Sequence, residues 1–298
     1  MGASFDDRDG FIWMNGQMVA WRDAKVHVLT HALHYASSVF EGERAYGGKV
    51  FKLEEHTDRL FFSARTLDME IPFTPKEIND ATYAVLKANN QADAYVRPIV
   101  WRGSEMMGVA AQDARINVAI TSWVWGVYFS LEARLKGVRL QWADYKRPSP
   151  ETAPVKAKAA GLYMICTVSK HKAEREGFDD AMFLDWRGQV AEATGANVFF
   201  VMNGEIHTPA ADCFLDGITR RAVMEMARKR GYKVIERAIF PNELAKAQEC
   251  FLTGTAAEVT PVRELGQFKF TPGEVCRTLM ADFDVAVGKP REAKSSAA

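Results

Sequence analysis

Thr152-Ala-Pro-Val-Lys-Ala-Lys-Ala-Ala-Gly-Leu-Tyr163 sets a lysine among small residues, directly ahead of a segment with an apolar helical stripe. Ala157 precedes Lys158, and Ala159, Ala160 and Gly161 follow it, so a flat ring can approach its amine closely. Most lysines are solvated surface charges. A desolvated lysine holds its proton less tightly and becomes a nucleophile, and Schiff-base formation is the chemistry it serves.

Downstream, three stretches suit an aromatic cofactor that carries a phosphate. Asp216-Gly217-Ile218-Thr219 is a turn that opens a helix, where backbone N–H groups and a hydroxyl can meet an anion. Gly254-Thr255-Ala256-Ala257 follows a strand, and its small residues allow close backbone approach. Glu192, in Val190-Ala-Glu-Ala-Thr-Gly-Ala-Asn197, is a lone carboxylate among small and apolar residues. Such a group can keep a pyridine nitrogen protonated and the ring an electron sink. Each stretch also has an ordinary reading, as helix cap, tight turn or turn carboxylate. Their order and spacing behind Lys158 favour the chemical one.

The chain has 298 residues, which suits two α/β domains. Lys plus Arg equals Asp plus Glu at 38 each, so no net field draws it to nucleic acid or to an anionic membrane. Small-molecule partners are expected. No run approaches the ~18 apolar residues of a membrane span, and the acidic start Met1 to Gly10 has no signal-peptide core, which predicts a cytoplasmic protein. Cys166, Cys213, Cys250 and Cys276 are dispersed, without metal-type spacing, and read as reduced thiols. No metal site is expected.

Asn15-Gly16 between two apolar runs predicts a hairpin. His31 to Tyr46 reads as core strand and turn, and Leu53 to Leu67 as a helix with Arg59 facing solvent. Thr74-Pro-Lys-Glu77 opens a helix that runs to about Ala88. Ala94 to Trp101 reads as a strand with Tyr95 and Arg97 on one face, and Pro98 implies an edge or a bulge. Arg115 to Trp125 and Gly137 to Ala143 read as strands, and Gly161 to Arg175 as a helix with a stripe of Leu162, Ile165 and Val168. Beyond these, the expected strands are Ala181–Asp185, Asn197–Val201, Glu205–Thr208, Lys233–Ile239 and Cys250–Thr253, and the expected helices Thr219–Arg230 and Pro272–Val287. The domains are placed at 1–125 and 136–298, with 126–135 as the connection.

Taken together the residues resemble the fold-type IV pyridoxal-phosphate enzymes, and among them the branched-chain amino acid aminotransferases. The resemblance spans nearly the whole chain. It rests on His31-Ala-Leu-His-Tyr35, Val39-Phe-Glu-Gly42 with Arg44, His56 and Arg59-Leu60, Ala94-Tyr-Val-Arg-Pro98, Lys158-Ala-Ala-Gly-Leu-Tyr163, Glu192, Gly217-Ile-Thr219 and Gly254-Thr-Ala-Ala-Glu-Val-Thr-Pro-Val262.

The resemblance implies an α/β (α+β) fold of two domains, with pyridoxal 5'-phosphate between them, in a homodimer or higher homo-oligomer. It implies that Lys158 holds the cofactor and shuttles the proton, Tyr163 meets its phenolic oxygen and Glu192 its ring nitrogen. Arg59, the turn Gly217-Ile218-Thr219 and Thr255 would take the phosphate. Tyr35, Phe40, Val109, Trp125, Tyr128 and Ala257 would line the side-chain pocket, with a loop near Met107 to Val109 lent by the partner. Tyr95, Arg97 and the backbone near Ala256 and Ala257 would take carboxylates.

The implied reaction moves an amino group between a branched-chain L-amino acid and 2-oxoglutarate, by a ping-pong mechanism. Alternatives of the same fold are an (R)-selective amine or D-amino acid transaminase and an aminodeoxychorismate lyase. Tyr95 and Arg97 favour the branched-chain type. Glu43 departs from the family, which commonly has an apolar residue there, and so bears on substrate preference. Ala193, Leu162 and the loop Ser104 to Asp113 depart as well.

Overall fold

In a computed structural model residues 4–125 and 135–289 are described. They fall into two compact units, Met1–Gly126 with Pro154–Met164, and Val127–Ala153 with Ile165–Ala298. Most of the expected connection 126–135 lies outside the described residues. The segment that carries Lys158 packs with the first unit, whereas a single cut after residue 135 assigns it to the second. The cause is local: Ala157 and Ala159 are buried in the first unit's core, Ala159 bridges to Val39, and the Phe40 N–H donates to the Lys158 carbonyl at 3.1 Å.

The first unit is built on a seven-stranded sheet. Its strands are β1 (Phe11–Met14), β2 (Gln17–Ala20), β3 (Ser38–Phe40), β4 (Glu43–Tyr46), β5 (Lys49–Val50), β6 (Ala94–Arg102) and β7 (Ile116–Trp123). They run in the order β2-β1-β7-β6-β4-β5, with β3 also on β6. The β1–β2 hairpin forms as expected, with Asn15 and Gly16 both at positive φ (50° and 93°), as its two-residue turn demands. Among the described residues, the α-helices of this unit are α1 (His31–Tyr35), α2 (Leu53–Thr66) and α3 (Pro75–Ala88). Thr74 and Glu77 close the expected capping box of α3. The stretch His31 to Tyr35, expected as strand or turn, is the short helix α1.

Pro98 sits in the middle of the sheet and not at its edge. β6 pairs with β7 along its whole length, and on its other side with β3 and then β4. Those two strands are interrupted at Glu41 and Gly42, opposite Pro98, whose carbonyl accepts the Glu41 N–H at 2.9 Å. A residue's N–H and C=O point to the same side of a strand, so the donor that proline lacks falls at this interruption. Gly42 has a second reason to be there. A Cβ on it would stand 2.1 Å from the Tyr95 hydroxyl oxygen.

The second unit holds a nine-stranded mixed sheet. Its strands are β8 (Val138–Arg147), β9 (Asp180–Asp185), β10 (Val190–Ala193), β11 (Asn197–Met202), β12 (Glu205–Pro209), β13 (Val234–Arg237), β14 (Glu249–Gly254), β15 (Glu258–Leu265) and β16 (Phe268–Lys269). β8 lies parallel to both β9 and β15, and β12 parallel to β13. Its helices among the described residues include α4 (Met164–Arg175), α5 (Ile218–Lys229) and α6 (Glu274–Ala286). α4 departs from its expected stripe: it buries Cys166, Ser169 and Ala173 and leaves Val168 exposed, while Leu162 lies in a preceding 3-10 turn, Ala160–Tyr163, against the first unit's core. Small side chains on the buried face let a helix lie close to what it covers. No helix among the described residues is long and apolar enough to cross a membrane.

Gly42→Ala is expected to destabilise the protein by about 1–3 kcal/mol, the usual scale for overpacking. Tyr95→Phe in that background should recover part of the loss, because the hydroxyl is the atom in the way. Urea unfolding midpoints of the three variants measure this.

Candidate active site

Lys158 is partly buried, and its amine donates to the Tyr163 hydroxyl at 2.8 Å. The Ser63 hydroxyl accepts its backbone N–H at 3.0 Å, and the amine lies 4.9 Å from the centre of the Phe40 ring. Lys156, two residues earlier, is exposed. Burial, and after it the positive charge of Arg59, pulls the Lys158 amine below the ordinary lysine pKa, with Glu41 opposing. That is the environment in which a lysine reacts as a free amine.

Arg59 does not face open solvent. Glu41, with no exposed surface, accepts from its Nε at 2.6 Å and from its Nη2 at 2.8 Å, which fixes the plane of the guanidinium. The same carboxylate takes the Nδ1 of buried His56 at 2.7 Å. Burial alone raises the pKa of Glu41; the charge and hydrogen bonds of Arg59, with the His56 bond, overcome it and hold the carboxyl far below its usual range. Burial keeps His56 neutral, against the pull of Glu41. Sequence reasoning gave Glu41 and His56 no role. The available signal was position: His56 falls on the same helical face as Leu53 and Leu60, where a polar side chain must find a buried partner.

Period two holds on β6. Tyr95 and Arg97 share a face, and Arg97 Nη2 donates to the Tyr95 hydroxyl at 2.9 Å. The guanidinium carbon lies 4.6 Å above the Phe40 ring, and Trp125 packs edge-on against Tyr95 at 4.7 Å. Phe40 and Tyr163 are 4.9 Å apart. Phe40, Tyr95, Arg97, Trp125, Lys158 and Tyr163 are therefore one cluster. Glu43 is outside it: opposite Val96 in register, it points to the other face of the sheet from Tyr95 and Arg97. There it is buried beside Glu41, with Oε2 lacking a hydrogen-bond partner.

Tyr35 and Val109 are exposed, at 45% and 85%. His31 joins them, stacking on Tyr35 at 4.6 Å and bonding through Nε2 to the Gly108 carbonyl at 2.8 Å. Tyr128 lies outside the described residues.

The second unit carries the remaining candidates. Glu192, on β10 and not in a turn, lies 3.3 Å from Nε of buried Arg147 and 3.4 Å from Nδ2 of Asn197. Gly217 is the N-cap of α5 with no side-chain cap, so Ile218 and Thr219 begin the helix with backbone donors that no capping side chain uses. Thr255, Ala256 and Ala257 form the turn between β14 and β15, and the Ala257 carbonyl accepts the Thr260 hydroxyl at 2.6 Å. Arg147, Asn197 and the fully buried Arg220 were not singled out from sequence. Asp185, Asp212 and Cys213 also come together, but Arg187 already bridges both carboxylates, at 2.6 and 2.9 Å.

The first unit thus holds a desolvated lysine hydrogen-bonded to a tyrosine, and the second a carboxylate beside a guanidinium and a helix start without a side-chain cap; each suits a part of a phosphorylated aromatic cofactor. The family model for Amino-transferase class IV matches residues 38–265, and the chain belongs to that family of aminotransferases. It is 43% identical over 294 residues to the branched-chain-amino-acid aminotransferase of Pseudomonas aeruginosa, covering 96% of each chain. Among solved structures, the branched-chain amino acid aminotransferase of T.th. with pyridoxamine 5'-phosphate superposes with a TM-score of 0.91 at 39% identity, over 95% of this chain and 96% of that one. The same enzyme complexed with N-(5'-phosphopyridoxyl)-L-glutamate gives 0.90 at 38%, with the same coverage.

Burial, and then the charge of Glu41, push the Glu43 carboxyl well above its usual range, with Arg59 opposing. Its folded pKa thus exceeds its unfolded one, so the fold keeps a proton that the unfolded chain releases as pH rises. Stability should fall from the ordinary carboxylate range up to the folded pKa. Glu43→Gln, which keeps a neutral side chain of the same shape, should flatten that slope in unfolding measurements from about pH 5 to pH 9.

Proposed function

We propose that the protein is a pyridoxal-phosphate-dependent transaminase that moves the amino group of leucine, isoleucine or valine to 2-oxoglutarate, in two alternating half reactions. The observation that carries this reading is the wall formed by Phe40, Tyr95, Arg97 and Trp125 beside the Lys158 amine. Its aromatic faces suit an aliphatic side chain. Its guanidinium, with Nε buried and without a hydrogen-bond partner, suits a carboxylate.

When bound, the cofactor supplies an electron sink for the pair left on the substrate as Cα loses its proton. Lys158 Nζ would hold the cofactor and then take and return that proton, which its lowered pKa permits. The Tyr163 hydroxyl, 2.8 Å from that amine, would steady the cofactor's phenolic oxygen. Glu192, 3.3 Å from Arg147 Nε, would hold the proton on the ring nitrogen. Arg59, Thr255 and the backbone of Gly217, Ile218 and Thr219 would bind the phosphate, and Ala256 and Ala257 would offer backbone to the substrate. The fit to this group is supported by the uncapped start of α5 and by the desolvated amine.

We infer a homodimer or a higher homo-oligomer. Val26, Val28, Leu29, Leu33, Met107 and Val109 are exposed apolar side chains on α1 and on the segments flanking it in space, which His31 and His34 tie together. A second copy covering them would bring Tyr35 and Val109 into use as pocket residues. Small-molecule substrates and four buried free thiols suit the cytoplasm.

Arg97→Ala should raise the KM for 2-oxoglutarate at least tenfold more than the KM for leucine, since a charge-assisted bond is worth about 1.5–3 kcal/mol. Separate half-reaction kinetics decide it, and equal losses would remove the carboxylate role from Arg97. Efficient turnover of (R)-1-phenylethylamine by the unmodified protein would instead favour an amine transaminase. Borohydride reduction of the holoenzyme followed by peptide mapping should find the pyridoxyl group on Lys158, with Lys156 unmodified.

A further inference from the structure

We propose that Asn197 is a positioning residue that ties the Glu192 carboxylate to the turn opening α5, so that the ring-nitrogen and phosphate ends of the site are set as one piece. The inference rests on the reading that Glu192 and the Gly217–Thr219 turn meet those two parts of a bound cofactor.

Asn197 begins β11 and is 5% exposed. It lies opposite Glu192 on one side and Thr253 on the other. Its Nδ2 donates to the Leu215 carbonyl at 3.0 Å and reaches Glu192 Oε2 at 3.4 Å. Its Oδ1 occupies the space next to Gly217, where a Cβ would come within 2.2 Å of it. One buried amide thus touches the carboxylate with one edge and the turn with the other. Only a primary amide does this with both donors on one atom and an acceptor beside them.

The rest of the surroundings isolate the role. The turn is also gripped from its other side by Arg220, 1% exposed, which donates to Asp216 at 2.7 Å, the Pro209 carbonyl at 3.0 Å and Glu236 at 2.9 Å. Glu192 keeps Arg147 at 3.3 Å. Loss of the Asn197 side chain therefore leaves both the helix start and the carboxylate with a partner. What it removes is the link that fixes the one relative to the other.

The test uses the holoenzyme, Asn197→Ala, Asn197→Asp and Gly217→Ala. Dissociation constants are measured for pyridoxal phosphate and for pyridoxal, which lacks the phosphate, and the protonation of the ring nitrogen is read by NMR of cofactor labelled there with nitrogen-15. Each variant should bind pyridoxal phosphate about tenfold more weakly with pyridoxal affinity unchanged, the scale of one lost hydrogen bond with a buried partner left over. In the same variants the ring-nitrogen resonance should shift. Gly217→Ala should do both with Asn197 present, because the new Cβ displaces Oδ1, and it serves as the second probe where Asn197→Ala folds poorly. A fall in melting temperature alone, with affinity ratio and resonance unmoved, would make Asn197 a packing residue. Movement of only one readout would overturn the link. Failure of the unmodified protein to bind either aldehyde would instead sink the cofactor reading on which the proposal rests.

Discussion

Glu41 and Arg59 form a buried ion pair on which the arrangement around Lys158 in the first unit depends. A carboxylate with no exposed surface keeps its charge only because a guanidinium and an imidazole meet it. In return it fixes Arg59 from a helix whose face would otherwise present that side chain to water. The pair also places a positive charge near Lys158, and this charge, second to burial, lowers the lysine's hold on its proton. Removing one partner of such a pair leaves an uncompensated buried charge, typically at about 3–5 kcal/mol. The same interaction therefore ties the end of β3 to α2, fixes the plane of a guanidinium and loosens a lysine's hold on its proton.

The Phe40-Glu41-Gly42 tripeptide shows how closely these duties are packed. Phe40 lies under both the Lys158 amine and the Arg97 guanidinium, Glu41 turns to the opposite face of the sheet, and Gly42 leaves room for the Tyr95 hydroxyl. The interruption between β3 and β4 that these residues create is also what lets β6 carry a proline at its centre. Glu43 continues the alternation onto the buried face, so its departure from an apolar residue bears on the charge beneath the sheet and not on the wall of Tyr95 and Arg97.

In the second unit the same economy appears with different chemistry. Glu192 is held by Arg147 and Asn197, and the start of α5 is held by Arg220 through Asp216. The helix start has no side-chain cap of its own.

Local interactions made much of this legible from sequence. The Asn15-Gly16 hairpin, the Thr74 capping box and the shared face of Tyr95 and Arg97 depend on residues within four positions of each other, and periodicity and turn chemistry specify them directly. Lys158 among small residues was legible for the same reason. The burial of Arg59 was not, because its partner Glu41 lies 18 positions away on another element. Nor could a single sequence place Pro154–Met164 with the first unit, find that Pro98 faces a gap, or show Glu43 on the buried side. Each depends on which strands become neighbours, and that is set by burial and sheet pairing over the whole chain. Residue types and their spacing determined the elements and the chemistry on offer. Only the tertiary structure decided which charges lost their water and which partners they then met.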